Sequence, residues 1–324
     1  MVATERTGDY ILETLLDDDL CRARTYKEGT PFLLPSAYGV HVVQSDSRDA
    51  RGSTRAEYHT GQLAAVLGLA GVAGEADVRC SGGKLATVKD IIANLVMRHS
   101  NDDEAEFIAT AFALWIPGNQ QWHDRFGQMH SFDKIASKLV GIPFGDGACG
   151  GTHVPYAVAL TLYKNSVEPT ISDDIAVKCA NYLSAVSRVL ERTQLSSGGW
   201  DENWPGSSVA SGLYGGNALD MLNITGHHLE WITLAPREVR PHPSVINDAI
   251  LAVGEYLREL PPHEDRSFKT LLPVSYAARA LCSLRGEDPY QSWVRLWKSG
   301  VYSDDPRWVD APKGRRSFSF EPEG

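Results

Sequence analysis

Small-residue apolar runs recur along the chain, and each opens on a polar residue: His59 in HTGQLAAVLGL, Glu106 in EFIATAFALWI, His153 in HVPYAVALTLY, His228 in HLEWITLA and Ser275 in SYAARALCSL. The steps between these residues are 47, 47, 75 and 47 positions. A period in this range predicts helical-hairpin repeats, each burying its apolar face against its neighbours. More charged segments with helical periodicity lie between the runs. In Lys84 to Ser100, Leu85, Val88, Ile91, Ile92 and Leu95 fall at i, i+3 and i+4 spacing. Phe132 to Val140, Ser172 to Thr193 and Ser244 to Leu260 read the same way. Ser172 before Asp173 and Asp174, and Ser244 after Pro243, are N-terminal signals. An amphipathic helix thus alternates with a shorter one rich in Ala, Leu and Thr, the pattern of outer and inner helices. The expected fold is all-α, an α/α toroid of five to six hairpins forming one domain over residues 1–324. DPYQSWVRLW completes or caps the ring, and residues 301–324 form an irregular tail. Tyr38 to Gln44 is the best strand candidate, too short and isolated to found a sheet.

The 75-residue step exceeds the repeat by 28 positions, an excess assigned to the Gly/Ser-rich stretch Leu195 to Asn217. Long loops of this kind act as lids or binding loops, and Trp200, Trp204 and Tyr214 are unusual in a purely solvating linker. Residues 195–217 are therefore read as lid-like, with Trp200, Trp204 and Tyr214 facing substrate.

Helices arranged around a ring would place the recurring polar residues in one layer, with helix starts that favour anionic ligands. Histidines and a carboxylate in such a layer suit a divalent metal, zinc above all. Asp146 and Cys149, just upstream of His153, add donors, so the metal set is His153, His228, Asp146 and Cys149. His59, Glu106 and His153 are candidate acid–base groups. Glu230 enters through an alternative register that aligns Glu-Phe-Ile with Glu-Trp-Ile, and Asp201 is a proton carrier on the loop. The acidic run Asp17-Asp18-Asp19 reads as the solvated end of a first helix. Trp122, His123, Asp124 and Phe126 read as a structural loop.

Composition narrows the partners. With 43% hydrophobic residues the chain can bury a sizeable core, and a net charge of −10 without a basic stripe argues against nucleic acid. No apolar run approaches a membrane span. Five scattered cysteines without a CxxC pair argue against a disulfide framework and point to a cytoplasmic setting.

Leu190-Glu-Arg-Thr-Gln194-Leu-Ser-Ser-Gly198-Gly-Trp200 fits the QW repeat, aromatic or aliphatic-x3-Gln-x3-Gly-x-Trp. On this motif the chain resembles a single α/α toroid of the terpenoid cyclase and protein prenyltransferase superfamily. Cys149-Gly-Gly-Thr-His153 and His228-Leu-Glu-Trp231 resemble segments of bacterial squalene-cyclase-like proteins. The resemblance implies an enzyme acting on an apolar or isoprenoid-like small molecule in a central cavity, by cyclase-, isomerase- or lyase-type acid–base or metal-assisted chemistry. It also implies that Trp200 wedges between repeats. Protein prenyltransferases hold zinc by an Asp, a Cys and a later His, here matched by Asp146, Cys149 and His227 or His228, which implies a zinc-dependent transferase as an alternative. A ligand- or partner-binding toroid without catalysis is a further alternative, since fold does not fix chemistry.

Overall fold

A computed structural model describes residues 11–25, 31–44, 57–206, 217–260 and 268–287. The class is mainly α. By its internal contacts the chain divides into two compact units, where the sequence suggests one domain. The first comprises residues 1–103, 123–128 and 290–324, the second residues 104–122 and 129–289.

The first unit contains α1 (Asp18–Thr25), a hairpin of β1 (Leu33–Ser36) and β2 (Gly39–Val42), α2 (Gln62–Leu69), a hairpin of β3 (Asp77–Arg79) and β4 (Leu85–Thr87), and α3 (Val88–Arg98). The strand candidate at 38–44 is therefore one arm of a hairpin, running in register from Leu33 opposite Val42 to Ser36 opposite Gly39. Gly39, at φ 118°, makes the turn, and a Cβ there would lie 2.2 Å from the Asp90 carbonyl oxygen. Only glycine lets the hairpin lie this close to α3. Asn94 Nδ2 donates to Ser36 Oγ at 2.6 Å across the same contact. Thr87 and Asp90 form a capping box that starts α3. The acidic run departs from the expected solvated helix end. Asp18 is fully buried, accepts the backbone N–H groups of Phe32 and Leu33 at 2.5 and 2.8 Å, and pairs with Arg22 at 3.1 Å. Its carboxylate satisfies the start of β1, a long-range role that local charge patterning does not reveal.

The second unit is built from α4 (Ala105–Trp115), α5 (Phe132–Leu139), α6 (His153–Val167), α7 (Asp173–Thr193), α8 (Ala218–Leu234), α9 (Pro243–Glu259) and α10 (Phe268–Leu284). A third pair of short strands, β5 (Gln121–His123) and β6 (Met129–Ser131), precedes α5. In residues 123–128, which belong to the first unit, Asp124 Oδ1 accepts from the backbone N–H groups of Phe126 and Gln128, as befits a structural loop.

Helices α4, α6, α8 and α10 pack in series, α4 on α6, α6 on α8, α8 on α10. Helices α5, α7 and α9 lie outside them: α7 covers α6, and α9 covers α8 and α10. The burial of each helix follows its sequence pattern. Twelve of the seventeen residues of α8 are buried, whereas α7 buries eight of twenty-one along one stripe. The inner helices approach closely: a Cβ on Gly226 of α8 would sit 2.9 Å from the Ala277 backbone nitrogen of α10.

The loop after α7 is a structural tie over its described part. Gln194 Nε2 donates to the carbonyls of Gly198 and Val245 at 2.6 and 2.8 Å, joining the end of α7 to α9. Trp200 is fully buried; its Nε1 donates to the Leu190 carbonyl at 3.0 Å and its backbone N–H to Thr225 Oγ1 at 2.9 Å. Trp200 and Trp204 therefore belong to the core, and residues 195–206 are not a free lid. Tyr214 and the remainder of the stretch, DPYQSWVRLW and the 301–324 tail lie outside the described residues. No helix among the described residues is long and apolar enough to cross a membrane.

Candidate metal centre

A short glycine-rich turn leads into α6. Cys149 sits in it at φ 51°, ψ 50°, the left-handed region that few non-glycine residues adopt. Glu106, buried on α4, accepts the Ala148 N–H with Oε1 at 3.0 Å and so holds the turn from the neighbouring helix. This placement turns Cys149 toward α8, where it is hydrogen-bonded to the Asn223 side chain.

Cys149 joins His153, the first residue of α6, and His227 of α8. Their ligand atoms, one from each residue, all lie within 4.8 Å of one another, so the three can hold a metal ion. The two imidazole centroids are 4.5 Å apart. Phe107 of α4 packs on His153 at 4.6 Å, and Tyr276 of α10 on His227 at 3.7 Å. Phe107, His153, His227 and Tyr276 thus form one layer across the four inner helices.

His227 is oriented from behind. Its Nδ1 lies 3.2 Å from Glu230 Oε2, one helical turn on, and its Nε2 has no hydrogen-bond partner. A carboxylate on one ring nitrogen fixes the tautomer that offers the other to a metal. Glu230 is in turn 3.1 Å from Arg279 Nε of α10, and Arg279 donates to the Tyr156 hydroxyl at 3.2 Å. The electrostatics are those of a dry interior. Burial pushes His227 down to about 3, with the Arg279 charge adding, and raises Glu230 to about 7 against the pull of Arg279. Cys149 is pushed up to about 11 by burial, opposed by the Asn223 hydrogen bond. Without a cation the thiol stays protonated at neutral pH and is a poor nucleophile.

The other residues singled out in the sequence are placed as follows. His228 is fully buried but outside this group: its Nδ1 accepts from Trp231 Nε1 at 3.1 Å, and its ring meets Trp200 and Trp204 edge-on at 5.4 and 4.6 Å. Trp204 Nε1 donates to the Gly150 carbonyl at 2.8 Å. Asp146 is exposed and is not among the three converging residues. Ser275 is exposed on α10, its hydroxyl donating to the Leu272 carbonyl at 2.7 Å, and Pro273 lies inside that helix rather than at its start. Asp201 accepts the Asn203 N–H in a tight turn.

His59 belongs to the first unit, in the loop before α2, beside Glu57. Glu57 Oε1 accepts the Leu63 N–H at 2.6 Å, and burial raises its carboxyl to about 7. His41, Glu57, Asn94 and Arg98 line a cavity of about 100 Å³ in that unit.

Sequence reasoning named His227 only as an alternative to His228 in the zinc set that the prenyltransferase resemblance implies, and missed Tyr276, Asn223 and Arg279 as site residues. His227 and Tyr276 lie one position from His228 and Ser275, so the period held a usable signal for them. No known protein family, curated protein or solved structure matches the chain.

Proposed function

We propose that the chain is a zinc-dependent enzyme acting on a small molecule between the inner helices of its second unit, with Cys149, His153 and His227 as the three protein ligands. The convergence of their ligand atoms within 4.8 Å carries this reading. A tetrahedral zinc site sets sulfur and nitrogen ligands about 3.5 Å apart, so an inward adjustment of about 1 Å completes it. One thiolate and two imidazoles match the ligand chemistry of zinc, and a set of three leaves a position open, as catalytic sites do. Bound there, zinc would act as a Lewis acid on a substrate oxygen or on water. Glu230 would hold the His227 tautomer, Arg279 would balance Glu230, and Asn223 would donate to the Cys149 thiolate. Tyr276, stacked on His227, is placed to contact whatever fills the open position.

The serial packing of inner helices under an outer layer supports an α/α toroid, and the Gln194–Trp200 tie supports the likeness to terpenoid cyclases. On that likeness the substrate is apolar or isoprenoid-like and the reaction of lyase or transferase type. A transferase centre using Asp146 beside Cys149 loses support, because Asp146 faces solvent.

Cobalt titration of metal-free protein tests the centre. One equivalent of cobalt(II) should develop the thiolate charge-transfer band and the visible bands of a tetrahedral ion, with release of the thiol proton. Loss of the charge-transfer band in Cys149→Ala, with visible absorption weakened in His153→Ala and His227→Ala, is the expected pattern. Cobalt bands unchanged in Cys149→Ala would refute the reading.

A further inference from the structure

The cavity of the first unit lies between β2, the loop that leads into α2, and α3. Its walls are tied to one another by hydrogen bonds. The Glu57 N–H donates to the Val43 carbonyl at 3.2 Å, and Glu57 Oε1 accepts the Leu63 N–H. Gln44 Nε2 donates to Thr60 Oγ1, and Asn94 is held by its bond to Ser36. These bonds fix the polar groups of the wall, so the space is not closed by their collapse.

The lining is unlike that of a packing void. Val42, Ala64 and Ile91 form a buried apolar part, and Asn94 and Glu57, 3% and 7% exposed, set polar groups beside it. A space lined by hydrocarbon alone stays dry, whereas one with polar groups takes up water or a ligand that satisfies them. At about 100 Å³ it is smaller than the ~150 Å³ cavity that admits benzene, so its occupant is smaller than that ring.

Charge at the rim decides the kind of occupant. Arg98, the last residue of α3, is exposed and lines the cavity, and among the described residues no carboxylate pairs with it. The two acids of the lining are engaged elsewhere. Asp103 accepts the Ser100 N–H at 2.7 Å and lies 3.5 Å from His99 Nδ1, while Glu57 holds the Leu63 N–H. His41 hydrogen-bonds the Asn94 side chain, and burial, then the Arg98 charge, lower its pKa, which leaves the ring neutral. Arg98 is therefore the lining charge left to a ligand, and a guanidinium meets a carboxylate or a phosphate through two parallel N–H bonds. The apolar part of the wall favours the anion that carries a carbon body.

We propose that this cavity binds a small organic carboxylate of about four to six non-hydrogen atoms, with its charge on Arg98 and its carbon body against Val42, Ala64 and Ile91. His41 and Asn94 are placed to hydrogen-bond a further polar group on it. The inference does not depend on the zinc reading, since no residue of that centre takes part.

Calorimetric titration of the full-length protein with acetate, propionate, lactate and pyruvate tests the proposal. At least one should bind saturably, with one site per chain. Arg98→Gln, a change at an exposed position, should weaken it about tenfold or more, as expected when a charge-assisted bond is lost. Propionamide, which keeps the shape of propionate without its charge, should bind the wild type and Arg98→Gln alike and more weakly than the acid binds the wild type. Four outcomes would overturn the proposal. Binding of none of the four acids would leave water only in the cavity. Preference for inorganic phosphate would remove the role of the apolar wall, and preference for propylamine would assign the cavity to Glu57. Equal affinity of the acid for wild type and Arg98→Gln, with a shift of the cobalt bands, would place it at the zinc centre instead. Cobalt absorption unchanged in Arg98→Gln separates failure of this site from failure of that centre.

Discussion

His227 and His228 are adjacent, both buried, and both held neutral by desolvation, yet they belong to different chemistries. One residue along a helix turns the side chain by about 100°. On one side of α8, His227 meets Cys149, His153, Glu230 and Tyr276. On the other, His228 meets Trp200, Trp204 and Trp231. Burial alone therefore does not make a histidine a ligand. A carboxylate behind one nitrogen and other donors in front of the second equip His227, and not His228, for that role. The indole side contributes packing and ties the segment after α7 to α7 and α8, while the polar side gathers donors that could hold a metal.

The largest effect separating the two sides is on stability. Trp200→Ala removes a fully buried indole and its bond to Leu190, and should cost about 3–5 kcal/mol in urea unfolding, with little change in cobalt affinity of the folded fraction. A loss below about 1 kcal/mol would mean that the indole side is not a structural tie.

Metal affinity should divide the histidines the other way. His227→Ala should lower cobalt affinity by more than about 100-fold, beyond the 10–100-fold typical of partners behind a ligand. His228→Asn should leave it within a few-fold, and equal losses in the two would erase the distinction. Glu230→Gln keeps a hydrogen-bond acceptor but removes charge, and should fall between them, at about 10-fold or more.

The smallest effect is a pH dependence. His228 is held well below its ordinary range, so its contribution to stability is present above about pH 6.5 and is lost as pH falls, by about 1.4 kcal/mol per unit. Unfolding free energies of metal-free wild type and His228→Asn, compared from pH 7.5 to 5, should converge with that slope as pH falls. A constant difference across the range would show that His228 is not buried as a neutral ring.

The layer and its rotation were unequally legible in the sequence. The 47-residue recurrence located the layer to within one residue on every inner helix of the second unit: Glu106 for Phe107, His153 itself, His228 for His227, Ser275 for Tyr276. It failed in rotational phase because α8 and α10 begin several turns before their layer residues, so the first polar residue of an apolar run does not mark a helix start. The layer does not share one mouth of helix N-termini, and the expected anion preference does not follow. The same shift dropped Arg279 and Asn223, whose roles depend on contacts between helices.

His59 fitted the period but sits in a unit with two hairpins. Strands of three or four residues give periodicity too little length to register. The Gln194–Trp200 motif was readable because its bonds run to fixed positions on neighbouring elements. Trp200 and Trp204 fill the core rather than cover a cavity, because each indole N–H reaches a buried carbonyl, of Leu190 and of Gly150.

Zinc-edge X-ray absorption of the zinc-loaded protein tests the central claim most directly. The account predicts one sulfur at about 2.3 Å and two imidazole nitrogens at about 2.0 Å, with the sulfur lost in Cys149→Ala and one imidazole lost in His227→Ala but not in His228→Asn. An all-oxygen shell, or a shell that loses its imidazole in His228→Asn, would contradict it.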